Sequence, residues 1–248
     1  MNETQRILLV LLAVFVAALL VGWRRASRYS ASALRAIPAF GRLHRALLDA
    51  METGRAVHVA LGLGGIWSSS TADSLAGLEV LGSLAAQMAP VGLSPVVTAG
   101  DATVLPLAQD AVRRSWRTSA AGLTRPAADV RWLSPAPAAY AAGVMGTLGG
   151  DKVGVNVMVG AFGDEYLLMG EAASQRRMFQ VGGASEPTVA PFVYATADEM
   201  LFGEDMYAAG AYLARKPLHL GSLWAQDFVR WIIVLAIFAM LLANTLLW

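Results

Sequence analysis

The longest apolar runs lie at the two ends of the chain, and they predict membrane helices. Residues Ile7–Trp23 and Trp231–Trp248 contain no charged residue and no proline. A helix of 17 or 18 residues rises roughly 26 Å, close to the thickness of the hydrocarbon core of a bilayer. We therefore expect one transmembrane helix at each end.

A cleaved signal peptide is the alternative for the first run. Ala31-Ser32-Ala33 resembles a cleavage site, but Arg24, Arg25 and Arg28 lie between it and the apolar residues. Basic residues directly after an apolar run oppose translocation of the chain beyond them. A retained anchor is therefore the favoured interpretation.

The charges beside the two runs predict the orientation. Arg24, Arg25, Arg28, Arg215, Lys216 and Arg230 lie between the runs, whereas Arg6, offset by Glu3, lies outside them. Basic residues are enriched in the cytoplasmic loops of membrane proteins. We expect a two-pass protein of the cell (inner) membrane, with the intervening domain in the cytoplasm and both termini outside.

Between the anchors, short apolar runs alternate with helical patterns, as in a parallel α/β sheet covered on both faces. The pattern predicts a doubly wound, Rossmann-like domain of about six strands over residues 56–216, followed by a pre-anchor segment at 217–230. The predicted strands are Val57–Leu63, Val96–Ala99, Val130–Leu133, Val153–Phe162, Met178–Val181 and Met200–Phe202. The predicted helices are Asp73–Met88, Asp101–Trp116, Ala136–Leu148, Asp164–Arg176, Glu186–Ala197 and Glu204–Ala214.

Residues 24–55 predict a juxtamembrane amphipathic helix. Its clearest part is Tyr29–Arg55, where Pro38 suits a first helical turn and apolar residues recur on one face. Arg35, Arg42 and Arg45 fall on other faces. They could contact anionic lipid headgroups. Packing of the apolar face on the protein's own domain is favoured.

Composition narrows the function classes. The hydrophobic fraction of 56% and the charged fraction of 15% are unlike those of an average soluble protein. A net charge of +1 gives no reason to expect nucleic acid as a partner. The absence of cysteine excludes disulfides, thiolate metal sites and cysteine nucleophiles.

Glycine and polar residues follow several predicted strands, where ligands bind in open parallel sheets. A ligand such as a nucleotide or another anion could approach the backbone closely there. Equally, these residues could serve as ordinary turns and helix caps. A dinucleotide fingerprint fails, because Trp67 stands where it requires a third glycine. The candidate ligand-binding residues are Gly62, Gly64, Gly65, Ser68, Ser69, Gly100, Asp101, Ser134, Gly163 and Asp164.

No catalytic set is predicted. His44, His58 and His219 lack metal-ligand spacing, and no Gly-x-Ser-x-Gly motif is present. The acidic pairs Asp164-Glu165 and Glu204-Asp205 are explained by helix starts, where negative charge is favourable. The sequence therefore predicts no cofactor, no metal and no enzymatic activity.

Self-association has more support. Small residues fill one face of Ala136–Leu148 and one of Glu204–Ala214, which permits close helix packing. In the anchors, small residues recur four apart at Ala13 and Ala17, Ala18 and Gly22, and Ala239 and Ala243. Packing within one subunit is the alternative. We expect the lipid bilayer and further copies of the chain as partners, and a further membrane or cytoplasmic protein is a candidate.

The chain also resembles a family of uncharacterised bacterial and archaeal membrane proteins, in which a Rossmann-like domain lies between two terminal transmembrane helices. The resemblance covers nearly the whole chain and implies no known activity. It rests on the segments Ser134–Met145, Gly160–Ala172, Gln180–Gly183, Gly203–Leu213 and Leu220–Leu223.

The leading hypothesis is a membrane-anchored, homo-oligomeric scaffold or assembly protein with a cytoplasmic α/β domain. Tethering at both ends and the lack of a catalytic set support it. The alternative is a ligand-sensing or enzymatic domain that uses the glycine-rich crevice.

Overall fold

The computed structural model describes residues 3–26, 37–118, 128–213 and 217–246. The chain forms two units, one of Ala36–Leu213 and one that combines Met1–Arg35 with Ala214–Trp248. The strands are β1 Ala56–Gly62, β2 Val96–Ala99, β3 Val130–Trp132, β4 Val153–Ala161, β5 Phe179–Ala184 and β6 Glu199–Phe202. The helices are α1 Glu3–Ala26, α2 Pro38–Thr53, α3 Thr71–Met88, α4 Leu105–Thr118, α5 Pro137–Gly150, α6 Glu165–Gln175, α7 Ala190–Thr196, α8 Glu204–Tyr207, α9 Ala209–Tyr212 and α10 Pro217–Leu246.

All six strands belong to one parallel sheet in the order β3-β2-β1-β4-β5-β6. This is the order of Rossmann folds, and the strand order reverses between β1 and β4. The predicted α/β class, with six parallel strands, is confirmed. Each predicted strand is present within a few residues of its expected bounds.

Helices cover both faces of the sheet because apolar side chains project from both sides of its central strands. On one face, Val57, Val59 and Leu61 pack with buried residues of α2, α3 and α4. On the other face, Ala60 and Met158 pack with residues of α5, α6 and α7. The domain is therefore doubly wound, with one core on each side.

Three predicted helices differ from the structure, and one of them, expected at Asp101–Trp116, begins only at Leu105. The helix expected at Glu204–Ala214 is broken at Ala208 into the two short helices α8 and α9, although Ala208 itself keeps right-handed helical angles, with a φ of −77° and a ψ of −9°. The helix expected at Glu186–Ala197 begins only at Ala190, which puts Pro191 in the first turn. Proline is tolerated there because that position lacks an intrahelical hydrogen-bond acceptor.

Helix α2 packs on the domain. Its buried residues are Ala39, Phe40, Leu43, Leu47 and Ala50, all part of the core of the first sheet face. The expected start of this helix at Tyr29 lies outside the described residues.

Two segments within the described residues are long and apolar enough to cross a membrane by length and composition, Thr71–Val91 and Ala225–Leu242. The first is 56% buried and belongs to the core of the α/β domain, whereas the second is 6% buried. Within α1, the apolar stretch found is the shorter Leu12–Gly22. The sequence placed the second anchor at Trp231–Trp248, and the apolar window in α10 begins six residues earlier.

Helices α1 and α10 pack against each other within their unit. Ala18, Gly22 and Ala225 are buried there, so small side chains form the contact between the two helices. Most of the remaining apolar side chains are exposed, for example Leu235 at 64% and Met240 at 70%.

Candidate functional site

The loops at the carboxyl edge of the sheet contain every candidate residue that the sequence suggested. Gly62 ends β1, and Gly64, Gly65, Ser68 and Ser69 lie in the loop that leads to α3. Gly100 and Asp101 follow β2, Ser134 follows β3, and Gly163 and Asp164 follow β4. We call the space among these loops the carboxyl-edge crevice.

The glycines of the first loop pack against the protein's own side chains. A Cβ atom at Gly64 would lie 2.6 Å from Ser74 Oγ, 2.8 Å from Ala161 Cβ and 2.9 Å from Ser70 Oγ. A Cβ atom at Gly65 would lie 2.8 Å from a carboxylate oxygen of Asp101. Each glycine is thus explained by close packing within the protein.

Serine and threonine hydroxyl groups form hydrogen bonds within the same loop. Ser68 Oγ donates to Gly65 O at 3.2 Å and bonds Ser70 Oγ at 2.7 Å. Thr71 Oγ1 lies 2.6 Å from Ile66 O and 2.7 Å from Ser68 O. These serine and threonine side chains serve the backbone of the loop at the start of α3, as hydroxyl side chains often do near helix starts.

Asp101 organises the neighbouring loop. Its Oδ1 atom accepts hydrogen bonds from the backbone N–H of Thr103, at 2.7 Å, and from the Thr103 hydroxyl. That hydroxyl oxygen in turn accepts from Ile66 N at 3.1 Å, which ties the two loops together. The Asp101 carboxylate also lies beside Gly65, where a bound phosphate would have to approach. The negative charges of the carboxylate and of a phosphate would repel each other.

The other candidates lie around this centre. Gly100 N donates to Gly62 O at 2.9 Å, and a Cβ atom at Gly100 would lie 3.0 Å from Ser134 O. Ser134 Oγ accepts from Ala136 N at 3.1 Å, just before α5. Gly163 N donates to the buried Glu165 carboxylate at 2.8 Å. Asp164 is exposed and directly precedes α6, and Ser69 is exposed as well.

Trp67, which breaks the dinucleotide fingerprint, points away from the loop. Its side chain is 91% exposed. It follows that the indole neither fills the carboxyl-edge crevice nor packs in the core.

A row of buried polar side chains, which we call the polar ladder, crosses four strands on the second sheet face. It consists of Thr98 on β2, His58 on β1, Asn156 on β4 and Gln180 on β5. His58 Nδ1 lies 2.7 Å from Asn156 Oδ1, and His58 Nε2 lies 3.0 Å from Thr98 Oγ1. Asn156 Nδ2 donates to Gln180 Oε1 at 2.9 Å.

The order of donors along the ladder fixes the state of His58. Because Asn156 Oδ1 only accepts, Nδ1 of the ring carries the proton and Nε2 accepts from the Thr98 hydroxyl. Burial lowers the pKa of His58 to about 4, although the bond to Asn156 raises it in part. His58 is therefore neutral near pH 7 and has a structural role.

Tyr140 on α5 continues this arrangement toward the carboxyl edge. Its hydroxyl accepts from Gly62 N at 3.1 Å and lies 3.4 Å from Thr98 Oγ1. Burial raises the pKa of Tyr140 to about 12, so the group stays protonated. The end of β1 is in this way hydrogen-bonded to the helix above it.

A second polar cluster, which sequence reasoning missed, joins α3, the end of β5 and α8. Asp73 accepts from Ser185 Oγ at 2.7 Å and from the hydroxyl of Tyr207. Burial, together with the bond to Asp73, raises the pKa of Tyr207. The phenol therefore stays protonated near neutral pH, and the cluster is explained by the attachment of α8 to α3.

The described residues contain no group of three or more histidine, cysteine, aspartate or glutamate side chains that could hold a metal ion. The polar groups at the carboxyl edge instead bond each other, with Ser68, Thr71 and Asp101 each satisfied by neighbours.

A family model described as a domain of unknown function, DUF6754, matches residues 1–248. No curated protein and no solved structure matches the chain.

Proposed function

Because the chain belongs to the DUF6754 family, whose function is unknown, we propose a role from its own geometry: a membrane-anchored, non-enzymatic scaffold protein. In this proposal the α/β domain lies in the cytoplasm and associates with further copies of the chain. The terminal helices hold it at the inner membrane.

One observation carries the non-enzymatic part of the proposal. The carboxyl-edge crevice, where a fold with this strand order binds ligands, is occupied by the protein's own side chains. Asp101 lies against Gly65, and Ser70, Ser74 and Ala161 lie against Gly64. A nucleotide would have to displace a carboxylate and several hydrogen-bonded hydroxyls.

The exposed apolar surface of α1 and α10 supports the membrane anchor. Leu8, Leu235 and Met240 are each more than 60% exposed. Burial of apolar surface is worth about 25 cal/mol per Å², so a helix pair of this kind is strongly favoured in lipid over water. The arginines that flank the apolar runs on the domain side support a cytoplasmic domain.

Two features support self-association. Ala18 and Gly22 are used within the α1–α10 pair, whereas Ala13 and Ala17 are exposed and leave a second small-residue face available. On the α/β domain, Trp67 exposes 91% of its side chain beside the crevice. Tryptophan is among the residues that contribute most at protein interfaces.

The test is the mass and content of the full chain, extracted from its own membrane in lipid nanodiscs without detergent. We expect particles that contain several 26.2 kDa chains, and no small molecule released on denaturation. Trp67→Ser should reduce the number of chains per particle. Ser69→Ala, an exposed change in the same loop, is the matched control and should leave that number unchanged.

The ligand-binding alternative predicts different results. A stoichiometric nucleotide or other anion released from the protein, bound in a manner sensitive to Gly64→Ala, would overturn the non-enzymatic proposal. One chain per particle at native density would overturn the self-association.

A further inference from the structure

An open cavity of about 510 Å³ lies at the opposite, amino edge of the sheet, between α2 and the first residues of β4 and β5. Its floor is apolar and includes Ala50, Val155 and Phe179. Its rim is basic, because four arginines line it against one carboxylate, that of Asp49, among the described residues. The lining arginines are Arg42, Arg45, Arg55 and Arg177. We call this cavity the arginine cleft.

The absence of a side chain at Gly154 on β4 leaves room for Arg55 to lie against that strand. A Cβ atom at Gly154 would lie 2.8 Å from Arg55 Cβ and 3.0 Å from Arg55 Nε. The arginine therefore lies flat over the start of β4, and its Nη2 donates to Val153 O at 3.1 Å. Glycine at position 154 thus allows the Arg55 side chain to approach the backbone of β4.

Arg177 occupies a backbone conformation that disfavours it. Its φ is +53°, and the same holds for Lys152, whose φ is +51°. Such left-handed positions favour glycine or asparagine over long side chains. Lys152 directly precedes β4, and Arg177 lies two residues before β5. Both turns thus carry a basic residue despite the strain.

Three of the four guanidinium groups, those of Arg45, Arg55 and Arg177, form no ion pair with any residue that the structure describes. Arg42 forms an ion pair with Glu199 at 2.6 Å, which attaches α2 to β6. Arg45 and Arg177 make no side-chain hydrogen bond or ion pair with any residue that the structure describes. Stretches 1–2, 27–36, 119–127, 214–216 and 247–248, which lie outside the described residues, contain no aspartate and no glutamate. No acidic side chain in those stretches is therefore available to neutralise the cleft.

We propose that the arginine cleft binds a phosphate group, with Arg45, Arg55 and Arg177 as its ligands. Guanidinium groups form paired, charge-assisted hydrogen bonds to phosphate oxygens, and three convergent arginines match a phosphate of two negative charges. The volume is in the range of small-molecule sites, and the apolar floor accommodates the carbon part of such a ligand. The phosphate belongs either to a soluble compound or to a lipid headgroup.

The probe for the soluble source is inorganic pyrophosphate, added to the full chain in phosphatidylcholine nanodiscs and followed by calorimetry for affinity and by hydrogen exchange for location. For the lipid source, hydrogen exchange of the full chain is compared between nanodiscs of phosphatidylcholine alone and nanodiscs that also contain phosphatidic acid. In either case we expect slower exchange in residues 42–55 and 176–179. Protection by pyrophosphate assigns a soluble ligand, and protection by phosphatidic acid alone assigns a headgroup.

Arg177→Asn is the decisive variant. Asparagine suits the left-handed backbone, so the protein should unfold at the same or a higher temperature, yet it should bind about tenfold more weakly or worse. Lys152→Asn is the matched control, because it removes the same charge at the same kind of turn outside the cleft lining. It should leave binding nearly unchanged.

Three results would overturn the proposal. The first is the absence of protection in both arms at moderate salt. The second is equal weakening by Arg177→Asn and Lys152→Asn, which would indicate a diffuse effect of charge. The third is protection that falls on the carboxyl-edge loops instead of α2.

Discussion

At the scale of single residues, His58 shows how a titratable group can be purely structural. The ring lies in the core, and both of its nitrogens are hydrogen-bonded within the polar ladder, to Thr98 and Asn156. Neither bond reaches the carboxyl-edge loops. Because the ring is buried, adding a second proton to it lowers the free energy of unfolding.

This gives a prediction for pH. The pKa of His58 falls from 6.5 in the unfolded chain to about 4 in the folded one. Between these values the unfolded chain binds a proton that the folded chain does not, so stability decreases as pH falls from 6.5 toward 4. The loss is roughly 3 kcal/mol at one pKa unit per 1.36 kcal/mol.

Denaturant unfolding of the full chain in neutral detergent, followed over this pH range, measures the effect. His58→Gln removes the titration while keeping a polar side chain, so its stability should depend less steeply on pH than that of the wild type. Parallel pH curves for the two proteins would contradict the structural assignment of His58.

At the scale of elements, α3 approaches the sheet unusually closely through Gly77. A Cβ atom at Gly77 would collide with the carbonyl oxygen of Val159 on β4 and lie 3.2 Å from Leu61 Cδ2. Gly82 is in the same helix, with nothing within 4 Å of the equivalent position. Close packing on β4 therefore requires glycine at position 77 but not at position 82.

The matched substitutions should have opposite signs. Gly77→Ala forces α3 away from β4 and should destabilise the domain by about 1–3 kcal/mol. Gly82→Ala gains helix propensity without a clash and should stabilise it by about 0.5–1 kcal/mol. Thermal unfolding of both variants checks this, and a stable Gly77→Ala protein would show that the helix can shift freely.

Much of the fold was predictable because its elements are local. The run Val153–Ala161 is apolar apart from Asn156, as is typical of strands covered on both faces, and the spacing between such runs leaves room for helices. The break between α8 and α9 was not predictable, because Ala208 suits a helix and keeps helical angles in the structure, where both short helices contact α3.

Of the two candidate sites, the sequence located the carboxyl-edge loops but not the arginine cleft. The carboxyl-edge glycines were found from their positions after strands, but the sequence cannot tell whether a glycine faces a ligand or, like Gly65, its own Asp101. The arginine cleft was missed although a signal existed. Arg55, Lys152 and Arg177 each stand at or near the start of a strand, and parallel strands start at one shared edge.

At the scale of the whole molecule, the absence of cysteine makes the proposed topology easy to test. Single cysteines introduced by Asn2→Cys and Ser69→Cys report on the N-terminus and on the α/β domain. In intact cells, a membrane-impermeant maleimide should label the first and not the second, because the flanking arginines favour a cytoplasmic domain.

After lysis both cysteines should react, which controls for their accessibility. The reverse labelling pattern in intact cells would mean that the domain lies outside the cytoplasm. Labelling at both positions before lysis would contradict a two-pass arrangement.

The strand order also governs how the chain is made. β1 pairs with β4 in the middle of the sheet, and Ala56 lies opposite Val153, about 100 residues later. At a synthesis rate of about 5–20 residues per second, one edge of β1 waits roughly 5–20 s for its partner. During that interval an apolar strand edge is open to pairing with other chains. Neighbouring nascent copies of this chain are therefore the partners with which an unpaired β1 could pair wrongly.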